Sequence, residues 1–136
     1  YLGEAFGVDR GLYPPPGRQR GEALKWLVWA NVTLAEAVIR WQRNAKEWTP
    51  AEQRNAAAGA QARRDLDALI AIFEAALGDK PHVLGDVISL VDFHLASIFE
   101  WIGYTGVDLA PFPRTAAWAA RCTARPANQK LHAAGT

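Results

Sequence analysis

The chain has no methionine and a single cysteine, Cys122, among its 136 residues. One thiol excludes an internal disulfide framework and any multi-cysteine zinc site. Together with the lack of an apolar N-terminal segment, it makes a cytoplasmic home the simplest expectation. A chain that starts Tyr1-Leu2-Gly3-Glu4-Ala5-Phe6-Gly7 without a methionine reads as a fragment, with something preceding Tyr1. No run of apolar residues approaches the ~18 a membrane-spanning helix requires, so no membrane span is expected. Charge of one sign is also lacking: Lys+Arg 15 against Asp+Glu 14 gives a net charge of +1. A nucleic-acid binder usually carries a basic excess, and none is expected as a partner here. Finally, β-branched residues are sparse and no window alternates apolar with polar, so strands are not expected.

What is present is helix-forming. Alanine dominates, and hydrophobic residues make up 50% of the chain against 21% charged. That composition suits one compact α domain. Pro14-Pro15-Pro16, between Gly11 and Gly17, fixes an extended lead-in. A long helix is expected over about 18–44. Its apolar stripe is read as Leu24, Leu27, Val28, Asn31, Leu34, Ala35, Val38 and Ile39, with Asn31 the polar interruption. Thr49-Pro50-Ala51-Glu52 has the form of a capping box with proline at the first helical position, and predicts a second helix running to Leu77 and closed by Gly78. Small residues in its first half permit close approach of a neighbour; Leu66, Leu69, Ile70, Phe73 and Leu77 form its later stripe.

The most informative start signal is Ser89-Leu90-Val91-Asp92, flanked by Ile88 and Phe93 at the two positions of a hydrophobic staple. The segment that follows, to about Ile102, is apolar nearly all round, the pattern of a buried central helix. A further helix is expected after Pro113, stopped by Pro126, and a short one to about Ala134. The expected fold is all-α: a five-helix bundle around a buried central helix.

The order Phe73-Glu74, Leu77, Leu84-Gly85-Asp86 and then Ile88-Ser89-Leu90-Val91-Asp92, with Trp118 and Arg125-Pro126 later, resembles the C-terminal helical domain of the glutathione transferase superfamily. The resemblance covers essentially the whole chain. It divides the chain into 1–17, similar to the end of a preceding thioredoxin-like domain and a linker, and 18–136, the helical domain. It implies that glutathione is a co-substrate of the parent protein, held with its thiol-activating residue in an N-terminal thioredoxin-like domain outside this sequence. The present chain, inactive alone, would supply the wall of the pocket for an apolar electrophile and part of a homodimer interface. Trp29, Thr33, Trp101 and Tyr104 are the co-substrate candidates under this resemblance. In some bacterial members a polar residue on the first long helix reaches the partner subunit's glutathione; Val28, Ala35 and Glu36 stand at the corresponding places here, a departure from that pattern. The alternative is a non-catalytic helical interaction module of the same fold. Either reading leaves an exposed apolar face on the isolated chain, and so predicts self-association or a covering partner.

No catalytic residue is assigned. Ser89 and Asp92 could be read as a nucleophile and its acid, but a serine nucleophile needs a base within reach. His94 lies two residues past Asp92, about 200° around a helix, so Ser89 and Asp92 are assigned to the N-cap. His82 is expected on an exposed loop, His94 as a hydrogen-bonded core or pocket-edge residue. His82, His94 and His132 have no metal-ligand spacing, and no metal is expected. Cys122 is expected to be buried and inert. Arg63, Arg64, Asp65 and Asp67 are read as a solvated face.

Overall fold

The computed structural model describes residues 1–134, with side chains through 130; His132 therefore lies outside the described side chains. Among the described residues there is no β-strand, only a two-residue bridge between His82 and Gly85. The helices are α1 (Arg18–Val28), α2 (Ala35–Ala45), α3 (Ala56–Leu77), α4 (Leu90–Tyr104), α5 (Pro113–Thr123) and α6 (Pro126–Ala134). α1 and α2 are joined without a break by a wider, π-type stretch, Trp29–Leu34, and act as one rod.

The π stretch corrects the expected stripe. The buried residues of this rod are Ala23, Trp26, Ala30, Leu34, Ala37 and Val38, whereas Leu24 and Val28 are 48% and 58% exposed. Buried positions four apart drift around an ordinary α-helix of 3.6 residues per turn. Extra residues per turn through 29–34 hold Ala30, Leu34 and Val38 on one line. The expected stripe holds at Leu34 and Val38, with Leu27 and Ala35 packed at the core's edge, and fails at Leu24 and Val28, where Ala23, Trp26 and Ala30 face the core instead.

The second expected helix start is also corrected. Ala51–Gln53 is only a short 3-10 turn, and Arg54 then returns to extended backbone. α3 begins after Asn55, whose side chain accepts from the Ala58 N–H at 3.0 Å. Asn ranks above Thr as a cap, and Asn44 of α2 secures this one by accepting from the Asn55 N–H. Replacing Asn55 with alanine should lower stability by about 1 kcal/mol. Thr49→Ala should change it by less than about 0.5 kcal/mol. Paired chemical-denaturation curves check the difference.

α2 and α3 form an antiparallel pair. Gly59 sits against the Asn44 backbone, where an added Cβ would lie 3.3 Å from the Asn44 carbonyl oxygen. The gap is closed by small residues, as the alanine-rich sequence suggested. α3 ends at Gly78, whose φ of 55° is a conformation that suits glycine. α4 is the central helix, burying Val91, Asp92, Leu95, Ala96, Ile98, Phe99 and Ile102. α3 packs Leu66, Ile70, Phe73 and Leu77 into the same core. Segment 1–17 is tied to the helices: Leu12 O accepts from the Leu90 N–H at 2.8 Å, and buried Tyr13 lies beneath the Arg20 guanidinium.

α5 has no capping side chain of its own; Phe112 stands at its N-cap. Glu74 of α3 serves instead. Its carboxylate accepts from the Arg114 N–H at 3.0 Å, and from the Thr115 N–H and hydroxyl at 2.7 Å each. Burial alone would raise this carboxyl, but the Thr115 and Arg114 hydrogen bonds outweigh it and hold the group below its ordinary value of 4.5. A depressed carboxylate contributes stability at neutral pH that is lost as pH falls through its folded value. Glu74→Gln should therefore cost about 1 kcal/mol at pH 7. It should also flatten the fall in stability below about pH 4.5. Urea titrations of both proteins between neutral and acid pH test this.

Candidate functional site

The start of α4 is densely hydrogen-bonded. Ser89 and Asp92 form the capping box. Asp92 is fully buried and accepts four hydrogen bonds: from the Ser89 N–H, the Ser89 hydroxyl, the Val83 N–H and the Trp118 indole N–H, all at 2.9 Å. The 79–88 loop, α4 and α5 are thereby pinned at one carboxylate. His82, expected to be exposed, is mostly covered: its ring Nδ1 is buried and lies 3.6 Å from the same carboxylate. The Val83 N–H bond draws the loop inward and carries His82 with it. Each Asp92 oxygen is thus taken up by two structural donors, while the buried His82 Nδ1 beside them has no hydrogen-bond partner among the described residues.

Cys122 is buried, and burial together with the Asp92 charge pushes its thiol up to about 11. It is a poor nucleophile at neutral pH. It borders a cleft of about 230 Å³ between α4, α5 and α6, which also includes Phe93, Ser97 and Arg125. Among the described residues no group of His, Cys, Asp and Glu could hold a metal ion. No helix among them is long and apolar enough to cross a membrane. Arg63, Asp65 and Asp67 are partly exposed and paired on the helix surface: Arg63 with Asp67, and Arg40 of α2 with Asp65.

The co-substrate candidates are spread out. Trp29 is half-buried, stacked 6.3 Å from the Phe73 ring, and lines a cleft of about 270 Å³ with Lys25, Trp26, Ile72 and Ala76. Thr33, Trp101 and Tyr104 are not on that cleft. Thr33 is exposed on the π stretch. Trp101 is half-buried and donates its indole N–H to Gln42 Oε1 at 3.1 Å, while Tyr104 is 72% exposed at the end of α4.

The long rod presents a different feature, of which Leu24 and Val28 were expected in the core stripe and Val32 was not. Leu24, Val28 and Val32, each four residues from the next, are all exposed. Next to them on the π stretch, Asn31 hydrogen-bonds across to His94 of α4 at 2.8 Å. In the sequence Asn31 stands out only as the polar interruption of the expected stripe. Its partner, 63 positions away, had no signal in the sequence.

The described residues form an all-α bundle around a capped, buried central helix. The chain belongs to the family of glutathione S-transferase C-terminal domains, whose model matches residues 45–126. It is 33% identical over 131 residues to the glutathione S-transferase GstB of Escherichia coli, a match covering 96% of this chain and 62% of GstB. Among solved structures it resembles the bacterial transferase BphK, solved as a ternary complex. The TM-score is 0.84 at 25% identity, over 100% of this chain and 64% of BphK. It also resembles the theta class glutathione S-transferase of Xanthomonas axonopodis pv. citri, solved with glutathione bound. There the TM-score is 0.78 at 27% identity, over 96% of this chain and 61% of that one. The chain spans less than two thirds of the length of each of these relatives.

Proposed function

We propose that the protein containing this chain conjugates glutathione to apolar electrophiles. In it, these residues form the wall of the co-substrate pocket and part of a homodimer interface in the cytoplasm. The observation that supports this reading is the unpartnered apolar line Leu24, Val28 and Val32, on a domain whose relatives carry more than a third of their length elsewhere. Large exposed apolar patches on a soluble domain mark binding surfaces, and burial against such side chains is the ordinary means of holding an apolar ligand. Thr33 adjoins this wall in sequence. Trp29, Trp101 and Tyr104 are the aromatic positions whose truncation tests how far the pocket extends.

In this proposal the glutathione thiol is activated by residues outside the chain, and the 136 residues alone are inactive. The test is a conjugation assay on the product of the full reading frame, with glutathione and a panel of aryl halides and enones, beside the isolated chain. Activity in the full product, and a raised KM in its Val28→Glu variant, support the reading. No conjugation with any member of the panel sinks it and favours the interaction module. A light-scattering mass of the full product tests the dimer.

A further inference from the structure

The hydrogen bonds of Asn31 determine the chemistry that it and His94 present to solvent. Asn31 Nδ2 lies 2.7 Å from the Leu27 carbonyl oxygen and 2.8 Å from His94 Nε2. A carbonyl oxygen only accepts, so the atom facing it is the amide nitrogen and the amide orientation is settled. That nitrogen has no lone pair to offer, so Nε2 of the imidazole must itself accept. In the neutral ring the proton is then on Nδ1. Both amide hydrogens of Asn31 are used. Among the described residues, neither Asn31 Oδ1 nor His94 Nδ1–H has a partner. The His94 backbone is held in turn, its carbonyl accepting from the Ser97 hydroxyl at 2.8 Å.

A tautomer-fixed N–H donor thus stands beside an exposed apolar line, at a π-type stretch of the kind that recurs at functional sites. We infer that His94 Nδ1–H is the hydrogen-bond donor to the carbonyl oxygen of an enone-type co-substrate, with Asn31 as the residue that positions it. This inference rests on the transferase reading above. In the addition, the glutathione sulfur forms a bond to the β-carbon and the carbon–carbon π bond breaks. The electron pair moves onto the carbonyl oxygen, where the His94 N–H stabilises it. The proton given up by the thiol is balanced by one delivered to the α-carbon through water, and nothing leaves. A donor aimed where negative charge develops accelerates such a step, whereas a displacement on a benzyl halide develops no charge at that oxygen position.

The experiment measures kcat/KM of the full reading-frame product for an enone and for a benzyl halide. It compares the natural sequence with His94→Phe, Asn31→Ala and His94→Asn, the last of which keeps an N–H near the Nδ1 position. Each variant is judged by its enone-to-halide ratio, because partial unfolding lowers both rates and leaves the ratio alone. The first two variants should lower the ratio by about tenfold or more, and His94→Asn should recover part of it. An unchanged ratio, whether both rates fall together or neither falls, overturns the inference and leaves the transferase reading standing. If the natural protein conjugates neither electrophile, the transferase reading fails and takes this inference with it.

Discussion

Asp92→Ala is expected to destabilise the domain by on the order of 4 kcal/mol, much of the margin by which a domain of this size stays folded. The substitution leaves the Ser89 N–H, the Val83 N–H and the Trp118 indole N–H buried without an acceptor. Each such orphan costs roughly 1–3 kcal/mol, and water entering the gap reduces the sum. Asp92→Asn separates charge and acceptor count from shape. One carboxylate oxygen serves Val83 and Trp118, and the other serves both Ser89 groups. Whichever oxygen becomes an NH2 then faces two donors. The Ser89 hydroxyl can rotate away but the backbone N–H groups cannot. The asparagine variant should therefore lose about half as much as the alanine variant. Urea midpoints for both variants test the ranking. A loss below about 1 kcal/mol for Asp92→Ala would show that the carboxylate is not the pin described here.

Phe73→Ala is the second large effect, expected at about 3–5 kcal/mol. Phe73 is fully buried, and its ring centroid lies 4.9 Å from Trp118, 5.0 Å from Phe99, 5.5 Å from Trp26 and 6.3 Å from Trp29. Truncation opens a cavity among rigid rings held by four helical segments, which collapse poorly into it, so the upper part of the range is expected. Phe73→Leu, which refills part of the volume, should cost clearly less in the same urea assay. Trp118 touches both Phe73 and Asp92. The double variant should therefore deviate from simple addition, a coupling that a double-mutant cycle measures directly.

These two residues differ in how well the sequence announced them. Asp92 was legible because a capping box is local: hydroxyl and carboxylate three residues apart, with the staple residues beside them, belong to one turn. Its bonds to Val83 and Trp118 were not legible, because they join segments 9 and 26 positions away. Phe73 was legible as a core residue from its place on the α3 stripe, but the ring cluster around it required the assembled helices. Thr49-Pro50-Ala51-Glu52 was the instructive error. It has the right residue types, yet Asn44 on the neighbouring helix secures Asn55 and moves the start of α3 beyond it. The stripe on the long rod held at Leu34 and Val38 but missed at Leu24 and Val28 for a related reason. A π-type stretch changes the period, and the choice of buried flank belongs to the helices that pack against it.

Composition and short-range pattern were sufficient for the helical class, the central position of α4 and the capping box. All of these depend on periodicity and on contacts within a turn or two, where a residue's neighbours in sequence are its neighbours in space. The flank of the rod that faces the core, the capping of α5 by Glu74, the inward turn of His82 and the Asn31–His94 pair depend on contacts across helices. Those contacts form at ångström-scale separations set by how whole helices pack, and no local pattern encodes them.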